Sequence, residues 1–152
     1  LGIHTISDRA AHAGSMSIAG DYEFFVRPEW TALKKAYGLS FRERRQIQSD
    51  FMYAAVASGE VDVIAGYTSD GLIAKYGLTV LDDIRHAIPP YDAIVLLSPR
   101  RANDAKLRAA LQPLLGRIDI AAMREANFRA SDSDTDGSPA TVARWLWTQI
   151  GN

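Results

Sequence analysis

The sequence contains no cysteine in its 152 residues. This absence excludes disulfide bonds, thiolate catalysis and cysteine-based metal sites. The sequence also lacks an apolar run of the roughly 18 to 20 residues that a membrane-spanning helix requires. Its net charge of −1 provides no electrostatic basis for binding nucleic acid or an anionic membrane. An apolar fraction of 47% instead indicates a globular chain of one domain or two small lobes.

Motifs for catalysis, nucleotide binding and metal binding are also missing. The three histidines, His4, His12 and His86, have none of the spacings of a zinc site. No phosphate-binding glycine loop or nucleophile elbow is present. Asp82 and Asp83 are adjacent, so an extended strand would send their side chains to opposite sides. The sequence therefore predicts a protein that is not an enzyme and needs no cofactor or metal.

One acidic loop imitates the start of a calcium-binding loop. Asp132, Asp134, Asp136 and Gly137 follow the D-x-D-x-D-G pattern. That loop requires a bidentate glutamate at its twelfth position, where this chain has Ala143. We therefore interpret the segment as a solvated loop.

The chain is organised around the stretch from residue 61 to residue 73. Val61–Ala65 is rich in β-favouring apolar residues, and the turn-forming residues Thr68–Gly71 follow at once. The pattern predicts a buried strand that leads into a helix, with Tyr67 at the strand end. In open α/β sheets the carboxyl ends of the strands face the binding crevice. An ordinary strand-to-helix turn with a half-buried tyrosine is the alternative interpretation.

The remaining elements predict an α/β fold with a mixed, mainly parallel sheet. Before the Pro89-Pro90 pair, the sequence predicts a strand at 16–20, a helix at 29–37 between Pro28 and Gly38, and an Arg-rich loop or poor strand at 41–48. A helix from Asp50, a short helix at 72–76 and a strand at 78–81 follow. Pro89 and Pro90 then impose extended backbone. This segment is a plausible hinge between two lobes. After it, the sequence predicts a buried strand at 92–97 and helices at 104–115, 119–128 and 139–150.

Three residues of this pattern are candidates for ligand contacts. Arg27 follows a strand, Tyr67 ends one, and Tyr91 follows the two prolines. Aromatic rings attract cations, and a guanidinium forms a bidentate pair with a carboxylate. If the three groups face a single crevice, they favour a zwitterion.

A succession of motifs along the chain resembles one family. In chain order the motifs are Glu23-Phe24-Phe25-x-Arg27, Lys35-x-Tyr37-Gly38-Leu39-x-Phe41, residues 50–59, Val61-Asp62-Val63, Gly66-Tyr67-Thr68-Ser69-Asp70-Gly71, Leu81-Asp82-Asp83, Pro89-Pro90-Tyr91 and Met123-x-x-x-Asn127. This succession resembles the substrate-binding proteins of ABC importers for osmoprotectants such as glycine betaine, choline and carnitine. The resemblance covers nearly the whole chain.

The resemblance implies a type II periplasmic-binding-protein fold, in which two α/β lobes close on the ligand. It assigns Arg27 to the ligand carboxylate and Tyr67 and Tyr91 to a tyrosine cage around the quaternary ammonium. Thr68 is a further candidate contact, although a turn or capping role suits it better. Residues 1–90 would form the second lobe. Residues 91–152 would be the hinge crossing, a strand and helices that return to the first lobe.

The resemblance also implies partners and a compartment. An ABC permease and a periplasmic or extracytoplasmic location are expected. Family members are nearly twice as long, so we expect the N-terminal half to be missing, with either repacking or self-association of the fragment. The start of the chain does not resemble a signal peptide. The alternative function is the effector-binding domain of a transcriptional regulator with the same fold, and an enzyme on a related scaffold is the third.

Overall fold

The computed structural model describes residues 3–131 and 137–150. The chain divides into two compact units. The first unit comprises residues up to Thr68 together with Leu72–Pro90. The second comprises Ser69–Gly71 and the chain from Tyr91 onward. The lobe assignment that the resemblance implies stays a prediction.

The first unit is built on a parallel sheet of three strands, within the residues that the structure describes. Strand β1 (Ser17–Gly20) lies in the centre, between β2 (Glu43–Gln46) and β3 (Val63–Ile64). Both neighbours run parallel to β1. Helix α2 (Pro28–Tyr37) connects β1 to β2, and α3 (Ser49–Ala57) connects β2 to β3. The predicted strand-and-helix units are therefore present, and every pairing in the described sheet is parallel.

The core of this unit lies between the sheet and α3. Ala19 of β1, Ala55 of α3 and Val61 are all buried. The half-buried side chains of Ile47, Val56 and Ile64 pack around these three residues. The close fit of small residues in the central strand lets the helix approach the sheet.

The helix ends follow the capping chemistry read from the sequence. Helix α1 (Ile6–Ala10) begins at a capping box in which Thr5 and Asp8 exchange hydrogen bonds of 3.1 and 2.9 Å with each other's backbone. Helix α2 begins at Pro28 and ends at Gly38, whose φ of 66° lies in the left-handed region that glycine favours. The predicted bounds of α2 are confirmed. The first helix has the N-cap expected from Thr5–Asp8, but it ends at Ala10 instead of at the expected Gly14, and a 3₁₀ turn follows at Ala13–Ser15.

Asp62 links the start of β1 to the turn before β3. Its Oδ2 accepts hydrogen bonds of 2.8 Å from both the backbone N–H and the hydroxyl of buried Ser17. The Ser17 hydroxyl in turn accepts a bond of 3.1 Å from the Asp62 N–H. These bonds from Ser17, backbone first, lower the pKa of Asp62. The two parallel strands are thus fixed at their amino ends.

Two predicted strands are wrong. Residues 78–81 form no ladder, and the pairing here is one isolated parallel bridge between Thr5 and Asp82. Residues 92–97 are irregular, with Ile94 72% and Leu96 83% exposed. Both segments have strand-like composition, but the described residues provide no neighbouring strand for either. Hydrogen bonding to a neighbour, rather than apolar content, is what makes an extended segment a strand.

The segment that leads to the two prolines is anchored on α2. Buried Tyr37 donates its hydroxyl hydrogen to Asp83 and accepts a bond of 2.8 Å from the Arg85 N–H. The Arg85 guanidinium lies 5.1 Å from the centre of the Tyr37 ring. The Asp83 carboxylate also accepts a bond of 2.8 Å from the Ile88 N–H. Asp83 therefore organises the turn that precedes Pro89.

These contacts shift the pKa values of both partners. Burial raises the pKa of Asp83. The bonds from Tyr37 and from backbone N–H groups together lower the pKa by more than burial raises it, so the net shift is downward. Burial, followed by the bond to Asp83, raises the pKa of Tyr37. The folded state therefore favours the ionised form of Asp83 and the neutral form of Tyr37.

Asp83→Asn should lower the free energy of unfolding at neutral pH by about 1–3 kcal/mol, because the buried Tyr37 hydroxyl loses a charged acceptor. Because the pKa of Asp83 is lower in the folded chain, this stabilisation is fully present above the pKa of the same carboxyl in the unfolded chain, which is about 4. It is lost as the pH falls through the pKa of Asp83 in the folded chain. The difference between variant and wild type should therefore shrink on acidification. Urea unfolding measured across pH tests this, with exposed Asp82→Asn as the control. A difference that stays constant with pH would contradict the assignment.

A short helix, α4 (Leu72–Lys75), completes the helices of the first unit in the described residues. The regular elements that the structure describes in the second unit are helices. Its helices are α5 (Ala105–Leu111), α6 (Ile120–Ser131) and α7 (Pro139–Ile150), and α6 packs against α7. The Arg129 guanidinium of α6 lies 4.2 Å from the centre of the Trp145 ring of α7. The calcium-like residues Asp132, Asp134 and Asp136 lie outside the described residues.

Candidate ligand-binding site

The candidate site lies at the carboxyl edge of the parallel sheet of the first unit. Strand β1 ends at Gly20 and β3 ends at Ile64, next to each other in the sheet. The loop after β1 leads to Arg27, and the loop after β3 carries Tyr67 and Thr68. This is the edge at which open α/β sheets bind ligands.

The loop after β1 has a defined conformation. Asp21 Oδ1 accepts hydrogen bonds of 2.9 Å from the Glu23 N–H and 2.7 Å from the Phe24 N–H. These bonds start a 3₁₀ turn, Phe24–Val26, and Arg27 follows it with extended backbone. Helix α2 then begins at Pro28. The position of Arg27 is therefore set by a capped turn on one side and a helix on the other.

Aromatic packing holds the same loop onto α2. The ring centres of Phe24 and Phe25 lie 5.6 and 5.3 Å from that of buried Trp30. The Phe25 and Trp30 rings meet edge to face, at 83°. Such pairs stabilise by about 0.5–1.5 kcal/mol beyond their buried area. This aromatic cluster supports the turn that carries Arg27.

The Arg27 guanidinium has an ion-pair partner in the first unit. Its Nη2 lies 2.5 Å from Oε2 of Glu23, four residues earlier. The Tyr67 hydroxyl lies near enough to the guanidinium to affect its pKa. The bond to Glu23, and then the Tyr67 hydroxyl, raise the pKa of Arg27 above its ordinary value. The site thus contains a permanently charged cation that is paired with a carboxylate, and the Tyr67 hydroxyl lies nearby.

Tyr67 and Thr68 are accessible to a ligand. The Tyr67 residue is 58% exposed, and Thr68 is also exposed. Both residues line a cleft of about 920 Å³ in the first unit, whose walls also include Phe24 and Trp30. The volume is within the range of small-molecule sites. Arg27 is not one of the residues that line this cleft, so the cleft itself offers the Tyr67 ring and the Thr68 side chain to a ligand.

The structure brings two of the predicted ligand residues together. Arg27 and Tyr67 lie on the loops that follow β1 and β3, near enough for Tyr67 to raise the pKa of Arg27, and Thr68 is next in the chain to Tyr67. Tyr91 belongs to the second unit and is 56% exposed. Its part in a shared cage stays a prediction. Sequence reasoning missed Glu23, although its spacing of four residues from Arg27 is the spacing of a local ion pair.

The end of the turn after Thr68 is tightly packed within the second unit. The Asn127 side-chain amide donates a hydrogen bond of 2.8 Å to the Ser69 carbonyl oxygen. A Cβ atom on Gly71 would lie 2.2 Å from the backbone nitrogen of Phe128. A glycine is therefore required here for close approach of two backbones.

Gly71→Ala should lower the free energy of unfolding by about 1–3 kcal/mol, because the methyl group would overlap the α6 backbone. Gly14→Ala is the matched control, since a Cβ at Gly14 would meet its nearest atom only at 3.9 Å. Urea denaturation of the two variants and the wild type measures the difference. Equal midpoints for the two variants would contradict the close approach.

These features define an α/β protein with candidate binding loops at the carboxyl edge of a parallel sheet. A family model described as the substrate-binding domain of ABC-type glycine betaine transport systems matches residues 1–149. The chain belongs to this family. The fold class predicted from the sequence is thereby confirmed.

The chain is similar to three proteins of this kind. The carnitine transport binding protein OpuCC of Listeria monocytogenes is 28% identical over 131 residues, which are 84% of this chain and 42% of that protein. The ergothioneine transport permease/ergothioneine binding protein EgtU of Helicobacter pylori strain G27 is 26% identical over 98% of this chain and 27% of its own length. A crystal structure of a glycine betaine/carnitine/choline ABC transporter superposes with a TM-score of 0.82 at 30% identity, covering 97% of this chain and 54% of that chain.

The chain spans about half the length of these proteins or less. The matched proteins act in transport, so the transcription-regulator alternative is not favoured and the family is not one of enzymes. Within the described residues, no helix has the length and apolar character needed to cross a bilayer.

Proposed function

We propose that this chain provides ligand contacts for the solute-binding component of an ABC importer for quaternary-ammonium compatible solutes such as glycine betaine or choline. The observation that carries the proposal is the position of Arg27 and Tyr67 on the loops that follow two adjacent parallel strands, at the carboxyl edge of the sheet. Membership of the glycine betaine family supports the same ligand class.

Each residue has a distinct role in the proposed site. The Tyr67 ring attracts the quaternary ammonium through its electron-rich face. The Arg27 guanidinium binds the carboxylate of a zwitterion, because its planar fork matches two carboxylate oxygens. Thr68 provides a hydroxyl beside the ring. Tyr91 of the second unit contributes a further cage ring, as the resemblance implies.

Tyr67→Ala should weaken the binding of both glycine betaine and choline by about two- to thirtyfold, the effect of losing one cation–π contact of about 0.5–2 kcal/mol. Isothermal titration calorimetry of the purified chain measures both affinities. Tyr67→Phe keeps the aromatic face and should retain most of the choline affinity. Tyr76→Ala, which removes another exposed tyrosine of the first unit, is the control and should bind as the wild type does. Unchanged binding in Tyr67→Ala would remove the cage assignment.

The proposed partners follow from the importer assignment. The ligand is a small quaternary amine, and the binding protein delivers it to an ABC permease. The protein that carries this chain would work in the periplasm or another extracytoplasmic space. One relative is itself described as both a permease and a binding protein, which supports the association of the two functions.

Self-association is proposed for the chain on its own. Ile94, Val95 and Leu96 form a contiguous exposed apolar segment without regular secondary structure. Exposed apolar segments with unpaired backbone groups pair with other chains. A second copy could therefore satisfy the backbone of this segment.

The isolated chain should form dimers or larger species as its concentration rises, measured by sedimentation velocity. Changing Ile94 and Leu96 together to aspartate should abolish this association, because like charges oppose strand pairing. Ile84→Asp, a change at an exposed apolar residue of the first unit, is the control and should associate as the wild type does. A chain that remains monomeric at every concentration would contradict the proposal.

A further inference from the structure

The Arg27 guanidinium already binds a carboxylate of its own chain. Oε2 of Glu23 lies 2.5 Å from Nη2 of Arg27. The Glu23 side chain is 72% exposed, and that of Arg27 is 35% exposed. The pair therefore occupies the same donor group that a ligand carboxylate would need, and it does so where a solute can reach it.

The Glu23 carboxylate can separate from the Arg27 guanidinium without a change in the backbone conformation of its loop. The Glu23 backbone is fixed independently, since its N–H donates to Asp21 and its carbonyl oxygen accepts from the backbone N–H groups of Val26 and Arg27. Among the described residues, the contact recorded for the Glu23 carboxylate is the one with Arg27. Exposed ion pairs contribute little to stability, because water competes for both charges. Exchange of the Glu23 carboxylate for another carboxylate therefore has a small cost.

We infer that Glu23 is an internal competitor for the ligand carboxylate at Arg27, and that it sets how strongly the site prefers zwitterions over cations that lack a carboxylate. The inference rests on the proposed function and adds to it the residue that determines selectivity. A zwitterion must displace Glu23 to reach the guanidinium. Choline has no carboxylate and leaves the Glu23–Arg27 pair intact.

The test compares Glu23→Gln with wild type in titrations of glycine betaine and choline. The ratio of the two affinities isolates the effect of the ligand's carboxylate. Removing the negative charge of Glu23 weakens its attraction to the quaternary ammonium of both ligands alike, so that effect cancels in the ratio. The ratio should shift toward glycine betaine by about two- to fivefold, which is the strength of one exposed ion pair.

Glu60→Gln is the matched control. Glu60 forms an ion pair with Arg45 at 2.6 Å, with exposed fractions of 53% and 35%, so the change removes an equal charge from another exposed pair. Its affinity ratio should remain that of the wild type. A Glu23→Gln ratio equal to that of Glu60→Gln overturns the inference. A ratio that shifts toward choline also overturns it, because Glu23 would then position Arg27 for the ligand.

A second measurement separates this inference from the proposed function. Acetate is titrated into both variants while the Arg27 side-chain signals are followed by NMR. The Arg27 signals should respond at lower acetate concentrations in Glu23→Gln than in Glu60→Gln, and equal responses overturn the inference. If neither quaternary amine binds wild type or variants, the proposed function of the chain fails, while the acetate titration still decides whether Glu23 competes.

Discussion

The parallel pairing of β1 with a strand on each side is the constraint on which the first unit depends. Ile18 and Ala19 of β1 are paired with residues of both β2 and β3, so the backbone of the central strand has neighbours on two sides. Parallel strands present their carboxyl ends at the same edge. The loops that follow β1 and β3 must therefore start side by side, which brings Arg27 and Tyr67 to the same edge of the sheet although the two residues are far apart in the sequence.

Elements specified by local chemistry were predictable from the sequence. Pro28 and Gly38 bound α2 because proline suits a first helical turn and glycine adopts the left-handed conformation after the last. The segment containing β2 was ambiguous, because its residues Glu43–Gln46 are all polar and most are exposed. Its strand conformation comes from the backbone groups of β1, which a single segment of sequence does not reveal. The two wrong strands fail for the same reason, since their apolar residues resemble a strand but lack a neighbour.

The candidate site was predictable to a different degree at each residue. Arg27 and Tyr67 were identified by position after predicted strands and by family motif, and the structure places them on the loops that follow two adjacent strands of the sheet. Glu23 was missed because sequence reasoning treated the segment before Arg27 as a motif rather than as a turn with its own ion pair. The 3₁₀ conformation of Phe24–Val26 is what brings a residue four positions earlier back to the guanidinium. That conformation depends on the Asp21 cap, a contact of short range that sequence motifs do not specify.

The local charge of the site explains how one pocket can accept two ligand classes under the proposed function. An unpaired Arg27 would repel a quaternary ammonium that sits against the adjacent Tyr67 ring, because the two positive charges would lie close together in a partly desolvated site. Glu23 offsets this repulsion when the ligand is a simple cation. A zwitterion brings its own carboxylate, which replaces Glu23 and leaves the charge around the guanidinium unchanged. The same arginine can therefore serve ligands with and without a carboxylate, because a neighbouring side chain supplies the missing charge.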